Sequence, residues 1–385
     1  MRVLLQSRST LFSVFGGDTV QILKTAEALR ELGCDVDIST ASEPDVRGYD
    51  VVHLFNLIRP QDLYIQTLNA KKQRKSIALS TIYVDYSEFD MQARSWMAQR
   101  AMRALNASQR EYMKTLGRAL VNREYNAGVS LLLRTGHRRA QKRILEASDV
   151  LLPNSQSEIR RVYVDFPCAK GKPCTVVPNA VDAKLFTQPP STALRKENNA
   201  GILCVARIEG RKNQLNLVRA ARELNYPVTL IGSPAPNHTE YLGQIRKEAG
   251  DAVQIVGPVS HELLPGYYQQ SKVHALVSWM ETTGLSSLEA GASGCNLVVT
   301  GKGDTRDYFE GYAYFCEPHS VESICVALRR ACEEPVNPAI REHILRNFTW
   351  KRAAEKTLEG YEVALGRSRE YIFVHSARSA VSNTR

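Results

Sequence analysis

At 385 residues the chain is longer than one hydrophobic core normally supports, so two domains are expected. With 43% hydrophobic and 23% charged residues it is neither collagen-like, mucin-like nor disordered, and no run reaches the roughly 18 apolar residues of a membrane span. The net charge of +10 is concentrated, because residues 91–145 hold twelve Lys and Arg against only Glu111 and Glu124.

Along the chain, short apolar runs alternate with amphipathic stretches: VLLQS, then VQILKTAEALREL, VDIST, VVHLF and SIALS. Strands alternating with helices imply parallel sheets with helical crossovers on both faces, the doubly wound α/β class. From about 88 to 147 the alternation gives way to Arg-, Met- and Leu-rich sequence at helical spacing, which predicts a helical insertion in a first domain of residues 1–180. VLLPN and TVVPN follow as strand-like runs, and the polar, proline-bearing stretch 180–200 reads as a linker. A second alternation then begins: GILCVAR, helix 211–224, PVTLIG, helix 238–249, AVQIVG, VHALVS, helix 284–294, NLVVT and YAYFCEP, within a second domain of 181–348. Two Rossmann-like domains facing across a cleft are expected, followed by a helix at 349–366 and a polar tail at 367–385.

The eight cysteines (Cys34, Cys168, Cys174, Cys204, Cys295, Cys316, Cys325 and Cys332) form no C-x-x-C pair, so buried thiols are expected rather than a metal or redox site. Cys168 and Cys174, in one loop, are the pair that oxidation could join. The N-terminus shows neither a long apolar run nor a small-residue cleavage site, so the expected location is the cytoplasm.

The sharpest chemical signal is S-W-M-E-T-T-G-L-S-S-L-E-A-G-A-S-G, Ser278 to Gly294. A strand ends at Ser278, a turn contains Gly284, and a helix starts near Leu285. Unpaired N–H groups at such a helix start carry the positive end of the dipole and can hold a diphosphate. Glu281 in the turn can accept from sugar hydroxyls, and Glu289, one turn into the helix, from a ribose. Spacing alone supports equally a strand-turn-helix with one solvated and one capping glutamate. In V-A-R-I-E-G-R-K-N-Q, Arg207 and Lys212 stand at the carboxyl edge of a strand, where open parallel sheets bind ligands. Fixed cations there lower the barrier to cleaving a sugar from a diphosphate. In the first domain Gly16-Gly17 is either a tight turn or a loop that approaches a ligand closely, and His53, ending the run DVVHLF, is a modest candidate for a contact.

In this order the segments resemble the retaining GT-B glycosyltransferases of family 4 (glycosyl transferases group 1). The resemblance is carried by F-G-G-D, A-L-R-E-L-G-C-D-V-D, V-V-P-N-A-V-D-A-K-L-F, V-A-R-I-E-G-R-K-N-Q, V-G-P-V-S-H-E-L-L-P-G-Y-Y, the Glu281/Glu289 pair, D-T-R-D-Y-F and N-F-T-W-K-R-A-A-E-K-T-L-E-G-Y. It implies transfer of a sugar from a nucleotide donor with retention and without a metal or other cofactor. Arg207 and Lys212 would neutralise the diphosphate, amides of Gly284, Leu285 and Ser286 would cradle it, Glu281 would bind the sugar and Glu289 the ribose. The last helix would cross back to the first domain, anchored by Trp350. Two departures stand out: Thr282-Thr283 replaces Gly-Phe after the first glutamate, and Ile82-Tyr83-Val84-Asp85 replaces the usual His-Asp, which leaves Tyr83 or Asp85 to take that contact.

Within 91–145, arginines interleave with Trp96, Met97, Met102, Leu105, Tyr112, Met113, Leu116, Tyr125 and Leu131–Leu133. An anionic membrane surface and an anionic or lipid-diphosphate acceptor fit this pattern equally, as does a core face with a solvated charged face. Nucleic acid does not, since no recognition motif accompanies the charge. Three functions follow: assembly of surface polysaccharide or lipopolysaccharide by a peripheral enzyme on the inner face of the cytoplasmic membrane, transfer to a soluble small acceptor, or a silent scaffold subunit of the same fold.

Overall fold

A computed structural model describes residues 1–84, 89, 127–188, 201–235 and 238–367. Two compact units emerge. One draws its described residues from Met1–Tyr83, Leu105–Pro178 and Trp350–Arg385, and the other includes Asn179–Thr349.

The first unit is built on a five-stranded parallel sheet in the order β2-β1-β3-β4-β5: β1 (Arg2–Gln6), β2 (Asp35–Ser39), β3 (Val51–Phe55), β4 (Ser76–Ser80) and β5 (Val150–Leu151). β3 is buried along its whole length, as expected for a parallel strand covered on both faces. Helix α1 (Gly17–Glu31) packs on the C-terminal α14 (Trp350–Ala364), which also lies against β4 and β5, while α2 (Pro60–Lys72) packs on α3 (Ala127–Thr135) and α4 (His137–Ala147). α14 comes close at Gly360, where a Cβ would stand 2.5 Å from the Leu152 side-chain terminus. Tyr361 is fully buried beside it, whereas Trp350, the expected anchor, is only half-buried. TVVPN does not become a strand. It runs beside β5 through Leu151 and Thr175 but pairs only as an isolated bridge, because Pro153 stops β5 early and Pro178 ends the run.

Of the basic insertion, 88 and 90–126 lie outside the described residues. Its far end forms α3 and α4, and α5 (Gln156–Asp165) follows only after β5. α4 is an ordinary amphipathic helix: Ala140, Ile144 and Leu145 enter the core, and Arg138 and Arg143 bond to Asp165 O (2.5 Å) and the Tyr64 hydroxyl (2.7 Å).

The second unit carries a six-stranded parallel sheet in the order β11-β10-β9-β6-β7-β8: β6 (Ile202–Val205), β7 (Val228–Ile231), β8 (Val253–Gly257), β9 (Val273–Leu276), β10 (Asn296–Thr300) and β11 (Tyr314–Cys316). Alternate side chains serve opposite cores. Ile202 and Cys204 face α7 (Gln214–Glu223), α8 (Thr239–Ala249) and α12 (Val321–Glu333). Leu203, between them, joins the cluster that includes α6 (Ala183–Phe186), α9 (Leu264–Gln269), α10 (Leu285–Ser293), α11 (Thr305–Phe309) and α13 (Pro338–Asn347). The start of the expected linker is therefore folded structure, with Phe186 1% exposed in this core; 189–200 lie outside the described residues. All eight cysteines are free, five of them buried and Cys34, Cys168 and Cys174 partly so.

Candidate functional site

Open parallel sheets bind ligands at the carboxyl ends of strands where the strand order reverses. In the second sheet that point lies between β6 and β9, since the chain runs outward through β7 and β8 and then returns to the other side of β6. The loop after β6 bears Arg207 and Lys212, and the loop after β9 bears Glu281 and Gly284.

These side chains meet. Lys212 Nζ is 2.5 Å from Glu281 Oε1, with the carboxylate side chain 8% exposed and the lysine 25%. Lys212 does not sit on the helix expected at 211–224. It closes a 3-10 turn, Gly210–Lys212, because Asn213 takes a left-handed conformation at φ 61° before α7 begins. The buried Asn213 amide donates to Val277 O (3.0 Å) and Pro318 O (2.8 Å), which binds this turn to the end of β9. Trp279 N–H to Arg211 O (2.9 Å) repeats the tie. Asparagine tolerates that backbone because its short polar side chain bonds nearby.

Glu281 is held from the other side by a bridge to Gly303 and by Asp304 N–H to Glu281 O, 2.9 Å. Gly303 has φ 93°, and a Cβ there would lie 2.0 Å from Glu281 O, so the approach requires glycine. Gly232 plays the matching part behind Arg207: its Cβ would lie 2.0 Å from Ala206 O.

A second carboxylate, Glu209, is 4% exposed and bonds Arg211 at 3.0 and 3.2 Å. Burial alone would raise its carboxyl, but the charges of Arg211, Arg207 and Lys212 outweigh burial and hold it below its ordinary range. Three cations therefore surround two carboxylates. The Arg207 guanidinium, half-buried, donates to none of the described residues. Gly284 stands at φ 75° as the N-cap of α10, and the N–H groups of Gly284, Leu285 and Ser286 likewise donate to no described residue. An excess positive charge beside open helix-start amides suits a phosphate group.

Glu289, also on α10, is engaged differently. Its Oε2 accepts from the Tyr268 hydroxyl and its Oε1 from His261 Nε2, both at 2.9 Å. Both partners lie in V-G-P-V-S-H-E-L-L-P-G-Y-Y, a segment that carries the resemblance, although neither is singled out there as a site residue. Thr283, in the departure from Gly-Phe, is buried and accepts from the Asn179 amide at 3.1 Å, a link internal to the second unit.

The first unit distributes its candidates less favourably. His53 is buried and cannot offer a ring nitrogen to a ligand: Nδ1 bonds the Tyr361 hydroxyl (2.7 Å) and Nε2 the Ser80 hydroxyl (2.9 Å). Burial pushes it down to about 3, so it stays neutral. Tyr83 is committed as well, its hydroxyl donating to Asp165 at 2.8 Å. Its backbone N–H, with the Thr81 hydroxyl, donates to the buried Glu158 carboxylate, and these bonds flank Ile82, a β-branched residue at φ 41°. Asp85 lies outside the described residues. The Gly16 N–H is taken by Thr19 Oγ1 (3.2 Å), and Gly16 is extended at φ −154°, so it supplies space rather than a donor; Gly17 begins α1. What organises this loop is Arg8, 4% exposed, which bonds Asp18 (2.8 and 3.1 Å), Thr10 O (2.6 Å) and Val14 O (2.6 Å). Burial would raise Asp18, yet Arg8 holds it below the usual carboxylate range. A lone arginine after a strand gave no sequence signal for this role.

Residues 190–348 match the family model described as glycosyl transferases group 1. Among curated proteins, the chain is 27% identical to the D-inositol 3-phosphate glycosyltransferase of Kineococcus radiotolerans over 58% of this chain and 59% of that protein. It is 29% identical to the enzyme of the same name from a Nocardioides species, over 60% of this chain and 57% of that one. The chain thus spans less than three-fifths of the length of these relatives. Among solved structures, sucrose-phosphate synthase from Thermosynechococcus elongatus aligns with a TM-score of 0.70 at 18% identity, covering 96% of this chain and all of that one. HepE of Anabaena, solved with UDP and glucose, aligns at 0.66 and 14% identity over 93% and 98% of the two chains. At those identities the likeness is one of fold. The fold is that of the GT-B glycosyltransferases, with two Rossmann-like units. Among the described residues no helix is long and apolar enough to cross a membrane, and no cluster of three His, Cys, Asp or Glu could hold a metal.

Proposed function

We propose that the chain is a nucleotide-sugar-dependent glycosyltransferase of the retaining family 4 type, whose donor is bound by the second unit. The observation that carries this reading is the meeting of Lys212 and Glu281 at the switch point, beside Arg207 and the open amides of Gly284, Leu285 and Ser286. As the bond between sugar and diphosphate breaks, negative charge grows on the departing phosphate, and preorganised cations and N–H groups stabilise it. In this scheme the chain itself meets that charge, without a metal or other cofactor. Glu281 exchanges Lys212 for the sugar hydroxyls when the lysine turns to phosphate. Glu289 takes the ribose.

For the acceptor, a soluble small molecule stands first, because the curated relatives named above act, by their names, on an inositol phosphate. An anionic glycan or lipid-linked acceptor, met by a peripheral enzyme on the cytoplasmic side of a membrane, is the second reading, favoured by the twelve cations of 91–145. A silent scaffold has no need of a buried ion pair at the sheet's switch point. The experiment measures nucleoside diphosphate release from UDP-, GDP- and ADP-sugars, with inositol phosphate or anionic vesicles added. Lys212→Ala should lower the rate about 100- to 1000-fold, the cost of removing one preorganised donor. Release that is untouched by Lys212→Ala and Glu281→Ala would overturn the assignment.

A further inference from the structure

Glu209 is out of place in a site that only has to hold phosphate. It stands two residues after Arg207 and three before Lys212, and it is 4% exposed. Burial opposes its charge, yet Arg211, Arg207 and Lys212 together keep it ionised. Among the described residues only Arg211 donates to it, one guanidinium nitrogen reaching its two oxygens at 3.0 and 3.2 Å. Lys212 goes instead to Glu281, and the N–H of Gly210 to His238 Nδ1 at 3.5 Å. A buried carboxylate among such cations weakens the hold on every anion that enters. The weakening is not uniform, because it grows with the charge of the ligand.

Sugar transfer changes that charge. The diphosphate of a nucleotide sugar carries two negative charges. When the bond from its oxygen to the anomeric carbon breaks, the electron pair stays on the oxygen, the acceptor hydroxyl oxygen bonds the carbon, and the hydroxyl proton is released. The terminal phosphate so formed has a second ionisation at about 6, so at about pH 8 the nucleoside diphosphate carries three negative charges. Resting on the donor-site reading above, we propose that Glu209 is a specificity-determining residue whose charge makes the site favour the dianionic donor over the trianionic product. Arg211 is the positioning residue that holds this carboxylate beside Arg207 and Lys212. The spent nucleotide is thereby released more readily than cations alone would allow, and release of product is a step that limits turnover in many enzymes.

The test is titration calorimetry of the full chain at about pH 8 in metal-free buffer, with UDP, GDP and ADP and with the matching nucleotide sugars. Glu209→Gln keeps the size of the side chain and an acceptor for Arg211 but loses the charge. It should tighten the nucleoside diphosphate about 3- to 30-fold more than the nucleotide sugar, the span for one further pair of unit charges several ångström apart under water-like to protein-like screening. Glu209→Asp, which keeps the charge, should hold the ratio of the two affinities near that of the unaltered chain. Arg211→Gln removes a cation and should move the ratio the opposite way, so the test survives if Glu209→Gln does not fold. A ratio that Glu209→Gln or Arg211→Gln leaves unchanged, or that Glu209→Asp shifts as far as Glu209→Gln, overturns the proposal while leaving the donor site standing. A chain that binds neither ligand overturns the donor-site reading itself, and this inference falls with it.

Discussion

Gly303 tests whether backbone placement, rather than residue identity alone, makes the second-unit site. In Gly303→Ala the new Cβ would begin 2.0 Å from Glu281 O, whereas real Cβ contacts essentially never fall under 3.0 Å, so the two loops must part by about 1 Å. Glu281 rides on the segment that has to move, and its ion pair with Lys212 measures 2.5 Å. A misplacement of that size costs on the order of 100-fold in rate when the group positions reacting atoms. The substitution also places a side chain at φ 93°, which costs about 1–2 kcal/mol by itself. Gly294→Ala separates the two effects, because Gly294 has φ 96° and nothing within 4 Å of its Cβ, so it shares the conformational strain without the collision. In a urea unfolding series Gly294→Ala should lose about the conformational cost alone, and Gly303→Ala more than that by the cost of the collision. Only Gly303→Ala should lose about two orders of magnitude in nucleoside diphosphate release. Equal activity in the two variants would refute the claim that this close approach sets Glu281.

Two further outcomes concern the first unit and the buried histidines. Tyr361→Phe removes the hydroxyl 2.7 Å from His53 Nδ1 and leaves a buried nitrogen unpaired, so urea unfolding should show a loss of about 1–3 kcal/mol at unchanged m; a loss under about 0.5 kcal/mol would contradict the contact. His53 and His274 are both pushed down to about 3 by burial, below the ordinary value near 6.5, so the unfolded chain takes up protons first as pH falls. Their contribution to stability is therefore complete above pH 6.5 and is lost progressively towards pH 3, at up to about 1.4 kcal/mol per pH unit for each histidine. Replacing His53 by Gln should reduce the slope of stability against pH between 6 and 4 by about one proton, and an unchanged slope would sink the assignment.

The alternation of elements was legible because periods of two and of 3.6 are local properties of a sequence. The strand-turn-helix around Gly284 was legible for the same reason, and its helix spans Leu285–Ser293. What escaped was set by contacts between distant positions. Asn213 breaks the helix expected from 211 because Val277 O and Pro318 O wait for its amide, and nothing near Asn213 in sequence announces them. TVVPN has strand composition, but Pro178 within it and Pro153 in the facing run remove ladder donors. His53 could be read as a contact or as a packed side chain until Tyr361, 308 positions away, took its nitrogen. Trp350 attracted the anchoring role by size, although it is at Gly360, which has no side chain, that the last helix comes close to the Leu152 side-chain terminus.

The same contrast explains why the charged residues of the second unit were the easier ones to find. Arg207, Lys212 and Glu281 lie just past strand ends, and a parallel sheet gathers its strand ends at one edge whatever the intervening sequence, so residues 69 apart meet there. Their final separation is a finer matter than topology. It depends on Gly232 and Gly303, each with carbonyl oxygen where a Cβ would stand, and on the left-handed Asn213 that turns Lys212 back toward β9. None of these three touches a ligand in the scheme above, yet each fixes a charged group to within the tolerance that catalysis demands. Substitutions at the charged residues should therefore remove chemistry, and substitutions at these three should remove geometry. The first kind lowers rate by removing charge, at a further cost in stability where it leaves a partner such as Glu281 unpaired, and the second lowers both by displacing the charge.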